Sequence, residues 1–301
     1  AAILSAGGTF TVSFTTDVQP AGTTTVMATE VGTPTNSGFK LFDVQANIVT
    51  VTPISGSVGT IVTVYGNGYG STESVRVEFG GNSSITTVTS INTGSFTATF
   101  TVDKQPYGTT TVKAVGSSSG EQAVSVFKIM PGVIKVSPNI GIVGTLVTVI
   151  ADGFLAGEEL FVYFGTSNDI QTSGPAAVEG SFTATFNITA QPAGTTTVEV
   201  RATNNDPNRK AWKYFDIMPN LTQVIPTTGT VGSNVEISGD GFGNEQVRIS
   251  FGSTVTMLTT NATNGVIVGN FVVNAQPYGT ATIIGYGLTT QKTTSSWFYK
   301  I

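Results

Sequence analysis

The acidic side chains that recur at fixed spacing are the residues best able to do chemistry here. An Asn or Asp followed by Gly and an aromatic residue, with Glu a few positions on, occurs three times: Asn67-Gly-Tyr69 with Glu73, Asp152-Gly-Phe154 with Glu158 and Glu159, and Asp240-Gly-Phe242 with Glu245. Carboxylates repeated at a loop are donors for calcium, which takes about six to eight oxygens in flexible geometry. The same residues also make a tight turn, because Asn and Asp before Gly tolerate the backbone it requires. With so few acids per loop the turn is the preferred reading, and Asp152, Glu158, Glu159, Asp240 and Glu245 stand as the calcium alternative.

Four amide nitrogens sit in Asn-x-Ser/Thr sequences, at Asn82, Asn187, Asn220 and Asn261. Such sites accept glycans on exposed surfaces of exported proteins. Asn187 lies between Phe186 and Ile188, which places it on the outward side of a strand. Other chemistries are excluded by what is missing. Without His there is no Ser-His-Asp or Cys-His catalysis and almost no zinc chemistry, and without Cys there is no disulfide framework. Paired carboxylates hydrolyse glycosides without His, yet the acids are dispersed and no pair recurs beside an expected cleft. The chain reads as a non-enzyme that carries no cofactor.

Charged residues are 10% of the 301-residue chain, so its surface is built of Thr, Ser, Asn and Gly, which suits a glycosylated or laterally packed protein. The net charge is -5 and the 13 Lys and Arg are scattered, whereas nucleic-acid binding needs a basic stripe. No apolar run is long enough for a spanning helix, and no charged segment followed by an apolar one reads as a signal peptide. The chain is then either already processed or a portion of something longer.

These residues are carried by a repeat. GSFTATFTVDKQPYGTTTVKAV from Gly94 returns as variants from Gly8 and Gly180 and around Gln276, and the Gln-Pro pairs at Gln19, Gln105, Gln191 and Gln276 are 86, 86 and 85 residues apart. A period of that length signals an array of small domains. Phe96, Ala98, Phe100 and Val102 alternate with Ser95, Thr97, Thr99 and Thr101, as in a strand with one buried face. Gln105-Pro-Tyr-Gly108 makes a corner before the next strand.

The period divides the chain into residues 1–44, 45–130, 131–218 and 219–301. In the first, Ala1–Ala6 align with Thr87–Asn92, Phe10, Val12 and Phe14 take inward positions, and only the last strands of a domain are present. Either the chain was cut from a longer array or a neighbour supplies the missing strands, and the first is favoured. Residues 45–130 read as seven strands: Ile48–Thr52; one through Val62 and Val64; one through Val75, Val77 and Phe79; a weaker one near Ile85–Ile91; the two repeated strands; and Gln122–Ile129. Pro53–Gly59 is a turn between the first two. Matching columns are Val147, Val149, Leu160, Val162, Phe164, Phe182, Ala184 and Phe186, then Val235, Ile237, Val247, Ile249, Phe251, Ile267 and Phe271. Short strands with turns every 8–12 residues or so and no helical period indicate tandem β-sandwiches. The junctions lack Gly/Ser spacers, which predicts a rather stiff, rod-like array.

The last strand of each unit carries apolar residues on both faces: Phe39, Leu41 and Phe42; Val124, Val126 and Phe127; Trp212, Tyr214 and Phe215; Trp297, Phe298 and Tyr299. A strand with one solvated face should alternate, so Phe39, Leu41, Val124, Val126, Trp212, Tyr214, Trp297 and Phe298 are candidate assembly contacts. Lateral protein packing ranks first, burial within the chain next and a sugar platform last, because the aromatic residues do not occupy the same column in each unit, as a repeated sugar site would need.

Pro53-x-x-Gly56-x-Val58-Gly59-Thr-x-Val62-Thr-Val64-x-Gly66-x-Gly68-Tyr69 resembles the opening of IPT/TIG-type immunoglobulin-like domains. It recurs from Pro138 through Gly144 to Phe154 and from Pro226 through Gly232 to Phe242, each followed by Phe-Gly at the end of the third strand. Ala151 stands where the others have Gly66 and Gly239, which puts a tight bulge there in doubt. The resemblance implies an all-β array of Ig-like sandwiches. Domains of this type occur in microbial surface, adhesin and surface-layer proteins, receptor ectodomains, carbohydrate-active enzymes and some transcription factors. The expected role is a structural protein at the cell surface, self-associating into a lattice or filament, with glycans as possible attachments. The alternative is a glycan-binding adhesin or accessory module.

Overall fold

The computed structural model describes residues 3, 5, 7–166, 169–203 and 206–300, with only the backbone of Tyr299 and Lys300. Among them there are strands and no helix, as the period-2 pattern requires. Ala1, Ala2, Leu4 and Ala6, part of the segment aligned with Thr87–Asn92, lie outside the described residues, as does the Tyr299 side chain. The chain forms two units, Ala1–Asp103 with Gly108–Ile129, and Lys104–Tyr107 with Met130–Ile301.

The first unit begins with a two-stranded antiparallel sheet, β1 (Gly22–Thr29) and β2 (Ser37–Val44). The eight strands that follow are β3 (Asn47–Thr52), β4 (Ser55–Gly56), β5 (Ile61–Asn67), β6 (Ser74–Phe79), β7 (Asn82–Thr89), β8 (Phe96–Thr101), β9 (Gly108–Gly116) and β10 (Gln122–Ile129). They form one sheet of order β3-β5-β8 and another of order β4-β10-β9-β6-β7. The two pack over a single cluster that includes Val62, Val64, Val75, Val77, Phe79, Phe96, Phe100 and Phe127. This is an Ig-like sandwich. Its repeated strands β8 and β9 lie in opposite sheets, so the Gln-Pro corner is a crossing between layers and not a hairpin.

Two expectations are corrected. The segment Pro53–Gly59 is more than a turn: after a cis Thr52-Pro53 bond the chain leaves the β3 sheet, and Ser55–Gly56 joins the other one, pairing parallel with Lys128 and Ile129 of β10. The same switch recurs at Ile140–Gly141 and Thr228–Gly229. Second, residues 9–20 are not a strand, and Phe10, Val12 and Phe14 are exposed and not inward. The equivalent β8 exists because β5 pairs along it from Ile61 to Gly66. Residues 1–44 contain no counterpart of β5, so the alternating sequence has no ladder to join.

The second unit holds two further sandwiches, each with a three-stranded and a five-stranded sheet in the same order. Their separate cores include Val147, Leu160, Phe164, Phe186 and Phe215, and Val235, Ile249, Phe251, Phe271 and Phe298. In all three sandwiches one Phe contacts a second across the layers and a third within its own sheet, at 5.0 and 5.6 Å for Phe79, 5.6 and 5.6 Å for Phe164, and 5.4 and 5.4 Å for Phe251. The doubted bulge is present in all three first-strand ladders, at Ile48/Thr50, Val133/Lys135 and Leu221/Gln223. The extra residue sits on the partner strand, so Ala151 accommodates it as Gly66 and Gly239 do.

Candidate functional site

The Asn/Asp-Gly-aromatic loops are built around their aromatic residue. Tyr69, Phe154 and Phe242 plug the ends of the three cores and are essentially inaccessible. Tyr69 meets Phe96 edge-on at 5.1 Å and its hydroxyl donates to the Ala114 carbonyl, and burial pushes that phenol well above its usual range. The glutamate that follows is then drawn inward. Glu73 accepts from the backbone N–H groups of Gly70, Ser118 and Ser119 and from the Ser119 hydroxyl. Glu245 repeats this with Gly243, Thr289 and Thr290. Burial raises each carboxyl, but these donors outweigh it and leave both groups below the ordinary glutamate range. Each glutamate therefore ties the aromatic loop to the turn between the last two strands.

The middle sandwich solves the same problem with an ion pair. Glu158 accepts from Leu155 N–H and pairs with Arg209 at 2.6 Å, and Arg209 also reaches Asp206 at 3.2 Å. Glu159 is exposed on the next strand. The structure thus spends Glu158 and Glu245 on protein donors and separates them from Asp152 and Asp240. Among the described residues no three acidic, His or Cys side chains are grouped to hold a metal.

Asp152 and Asp240 end their strands on the side where a Gln-Pro loop docks. Within the first unit, Ala21 N–H donates to the Tyr69 carbonyl at 2.8 Å. Within the second unit, Tyr107 N–H donates to Phe154 at 2.9 Å and Ala193 N–H to Phe242 at 2.7 Å. Opposite each bond lies a glycine with positive φ, at Gly94, Gly180 and Gly265, so close to the docked loop that a Cβ on Gly180 would stand 2.2 Å from the Phe154 oxygen and 2.9 Å from Pro106 Cα. This repeated contact was not anticipated, although the recurring Gln-Pro and Gly pairs were its signal. Asp152 Oδ1 and Asp240 Oδ1 are buried without a hydrogen-bond partner, and burial raises both carboxyls.

Apolar residues do lie on both faces of the last strands of the three sandwiches: Phe127, Phe215 and Phe298 are buried, while Val126, Tyr214 and Trp297 beside them are exposed. Phe298 is 0% exposed and packs on Phe251, because it occupies the column of Phe127 and Phe215, and it is withdrawn as a contact residue. The residue before it points outward. Leu41, Val126, Tyr214 and Trp297, at 68, 58, 57 and 61% exposure, share that column, each one place before Phe42, Phe127, Phe215 or Phe298. A second outward column holds Phe39, Val124 and Trp212, all exposed. Each column is aromatic in only two of the four units, Tyr214 and Trp297 in the first and Phe39 and Trp212 in the second, so no aromatic position recurs in every unit. On the middle sandwich Trp212 meets Tyr214 edge-on at 4.9 Å, Glu199 lies opposite Trp212, and Arg201 both pairs with Glu199 at 2.6 Å and covers the Tyr163 ring at 4.2 Å.

Of the glycan candidates, Asn187 and Asn261 are exposed at strand ends. Asn220 is half-buried at a strand start, and Asn82 is engaged, its Nδ2 donating to Asp103 and its Oδ1 accepting from Ser84 N–H.

No family model and no curated protein matches the chain. Among solved structures it is similar to SGBP-B from a complex xyloglucan utilization locus in Bacteroides uniformis, at 18% identity over 56% of this chain and 49% of that one, with a TM-score of 0.24. It is also similar to the BSP domain of a biofilm associated protein, at 10% identity over 85% and 66% with a TM-score of 0.23. An I-band fragment of titin gives 16% identity over 86% and 96% with a TM-score of 0.22. The chain thus spans about half the length of the SGBP-B structure. The Ig-like assignment rests on the strand order and cores described above. No helix among the described residues is long and apolar enough to cross a membrane.

Proposed function

We propose that the chain is a structural, non-catalytic segment of the cell exterior, belonging to a surface layer, sheath, extracellular filament or adhesin stalk. In this reading its repeats are IPT/TIG-type modules bounded at 45–130, 131–218 and 219–301, with a partial module at 1–44. They assemble with further copies through lateral and head-to-tail contacts, and Asn187 and Asn261 are the positions best placed for glycans.

The supporting observation is the outward column Leu41, Val126, Tyr214 and Trp297. A large apolar or aromatic residue kept on the wet face of the same strand in every repeat costs solubility, and burying it against another chain recovers the apolar area. The test is electron microscopy of concentrated protein beside a variant carrying Leu41→Thr, Val126→Thr, Tyr214→Thr and Trp297→Thr. Ordered lattices or filaments that vanish in a variant of unchanged melting temperature support the reading. Dispersed particles from both proteins overturn it.

A second reading, a glycan-binding adhesin or accessory module, is favoured by one specific feature. Trp212, Tyr214, Glu199 and Arg201 place aromatic faces beside charged hydrogen-bonding groups on one exposed sheet. Saturable binding of dispersed chains to a glycan array, lost in Trp212→Ala, would select it.

A further inference from the structure

Asp152 is 1% exposed at the end of the strand Leu146–Asp152, and its Oδ1 accepts no hydrogen bond. A buried carboxyl oxygen without a donor is rare, because it forfeits the hydration of the acid and receives nothing in return. The group that reaches it is the Lys104 amine, with Nζ 4.0 Å from Oδ1. We infer that Lys104 and Asp152 are joined by an intramolecular amide, an isopeptide bond, whose formation Glu179 assists.

Three observations place the reactants. Lys104 belongs to the loop Lys104–Tyr107, pinned by the bond from Tyr107 N–H to the Phe154 oxygen and by the seat of Pro106 against Gly180. Both anchors lie within three residues of the reacting side chains, which raises the effective concentration of amine at the acid to the scale of about 10⁵ M or more. Burial favours the neutral carboxylic acid of Asp152, the electrophilic form; Lys104 opposes that shift and Glu179 adds to it. Glu179 stands in the turn Ala177–Ser181 immediately before Gly180, held low first by its own backbone N–H, then by the Ser181 hydroxyl and by Lys104. A carboxylate that interacts with both partners can carry the proton between them.

In the step, the neutral Lys104 amine attacks Cγ of Asp152 and an N–C bond forms. Glu179 takes the proton from the nitrogen and delivers it to the departing hydroxyl, the C–O bond breaks and one water leaves. Nothing is oxidised or reduced. The buried side of Asp152 keeps water from the product, which disfavours the reverse reaction.

The chain carries its own comparison. Asp240 occupies the same place with the same unpartnered oxygen, but Ala190 stands where Lys104 would be, and the nearby Lys292 pairs with Asp216 at 2.7 Å. Among the described residues no amine pairs with Asp240, which should remain an acid.

Intact-mass spectrometry of the full chain, followed by tryptic mapping, decides the matter. The expected result is a chain lighter by one water, about 18 Da, and a branched peptide linking Lys104 to Asp152. Lys104→Arg and Asp152→Ala should restore the full mass, and Glu179→Gln should slow the appearance of the branched peptide about 100-fold. Loss of water by ring closure at Asp152-Gly153 or Asp240-Gly241 would instead survive Lys104→Arg and give no branch, and that outcome overturns the inference. So does wild-type protein that keeps its full mass after prolonged incubation, a result that needs no variant to fold.

Discussion

The two glutamates at the aromatic loops and the two buried aspartates pull stability in opposite directions with pH. Glu73 and Glu245 are held below their ordinary range, so their contribution is present above the unfolded value of about 4.3 and is lost as pH falls through the folded one. Asp240 is raised, as Asp152 is while its carboxyl is free of the amide, so this contribution is present below the unfolded value of about 3.9 and is lost as pH rises through the folded one. Glu245→Gln puts an amide NH2 against N–H donors and should cost about 1–3 kcal/mol at neutral pH, with less effect near pH 3, as followed by thermal unfolding. Asp240→Asn should raise the melting temperature at neutral pH, since it removes a disfavoured charge from a place where Asn67 already serves in the first sandwich. Reading these acids as calcium ligands or turn residues missed both roles. Donors such as Ser118, Ser119, Thr289 and Thr290 lie about 45 residues away in sequence, and nothing local announces them.

At the scale of elements, the docked Gln-Pro loop depends on a glycine. Gly180→Ala would force a Cβ into the Phe154 oxygen at positive φ, and we expect a loss of about 1–3 kcal/mol, with the nearby Lys104–Tyr107 amides gaining hydrogen exchange first. Phe242→Ala empties the end of the third core and should cost about 3–5 kcal/mol in denaturant unfolding. Most strands were legible because β5, β6 and β8 and their counterparts bury every second residue and follow Gly, Asn or Pro turns. What failed was pairing information. The segment from Phe10 to Phe14 carries a strand pattern and forms no strand, since pattern supplies a face but not a neighbour. Ser55–Gly56 carries no pattern and does pair, because two residues are enough once β10 is alongside. Phe298 was misassigned for the related reason that adjacent aromatic residues hide which of them faces in until the register is known.

For the whole molecule, few charges and many Thr and Ser residues have a clear structural correlate. The wet faces of the sheets are hydroxyl-rich, and the large apolar residues left among them fall in register. The quadruple Thr variant of that column should unfold within about 0.5 kcal/mol of wild type, because surface changes remove no core contact; sedimentation velocity would report whether association is lost. Composition made the exterior assignment legible as an expectation, but the column itself appears only after alignment on the buried Phe.

Ser55–Gly56 runs parallel to Lys128–Ile129, so the start and the end of one sandwich lie side by side pointing the same way. Tension applied between those two ends drags the strands past each other lengthwise, and their cross-links must rupture together in place of unzipping singly. Stretched in an optical trap, each sandwich should resist as one abrupt event, and replacing Gly56 with proline, which deletes its amide donor, should lower the force at which it yields.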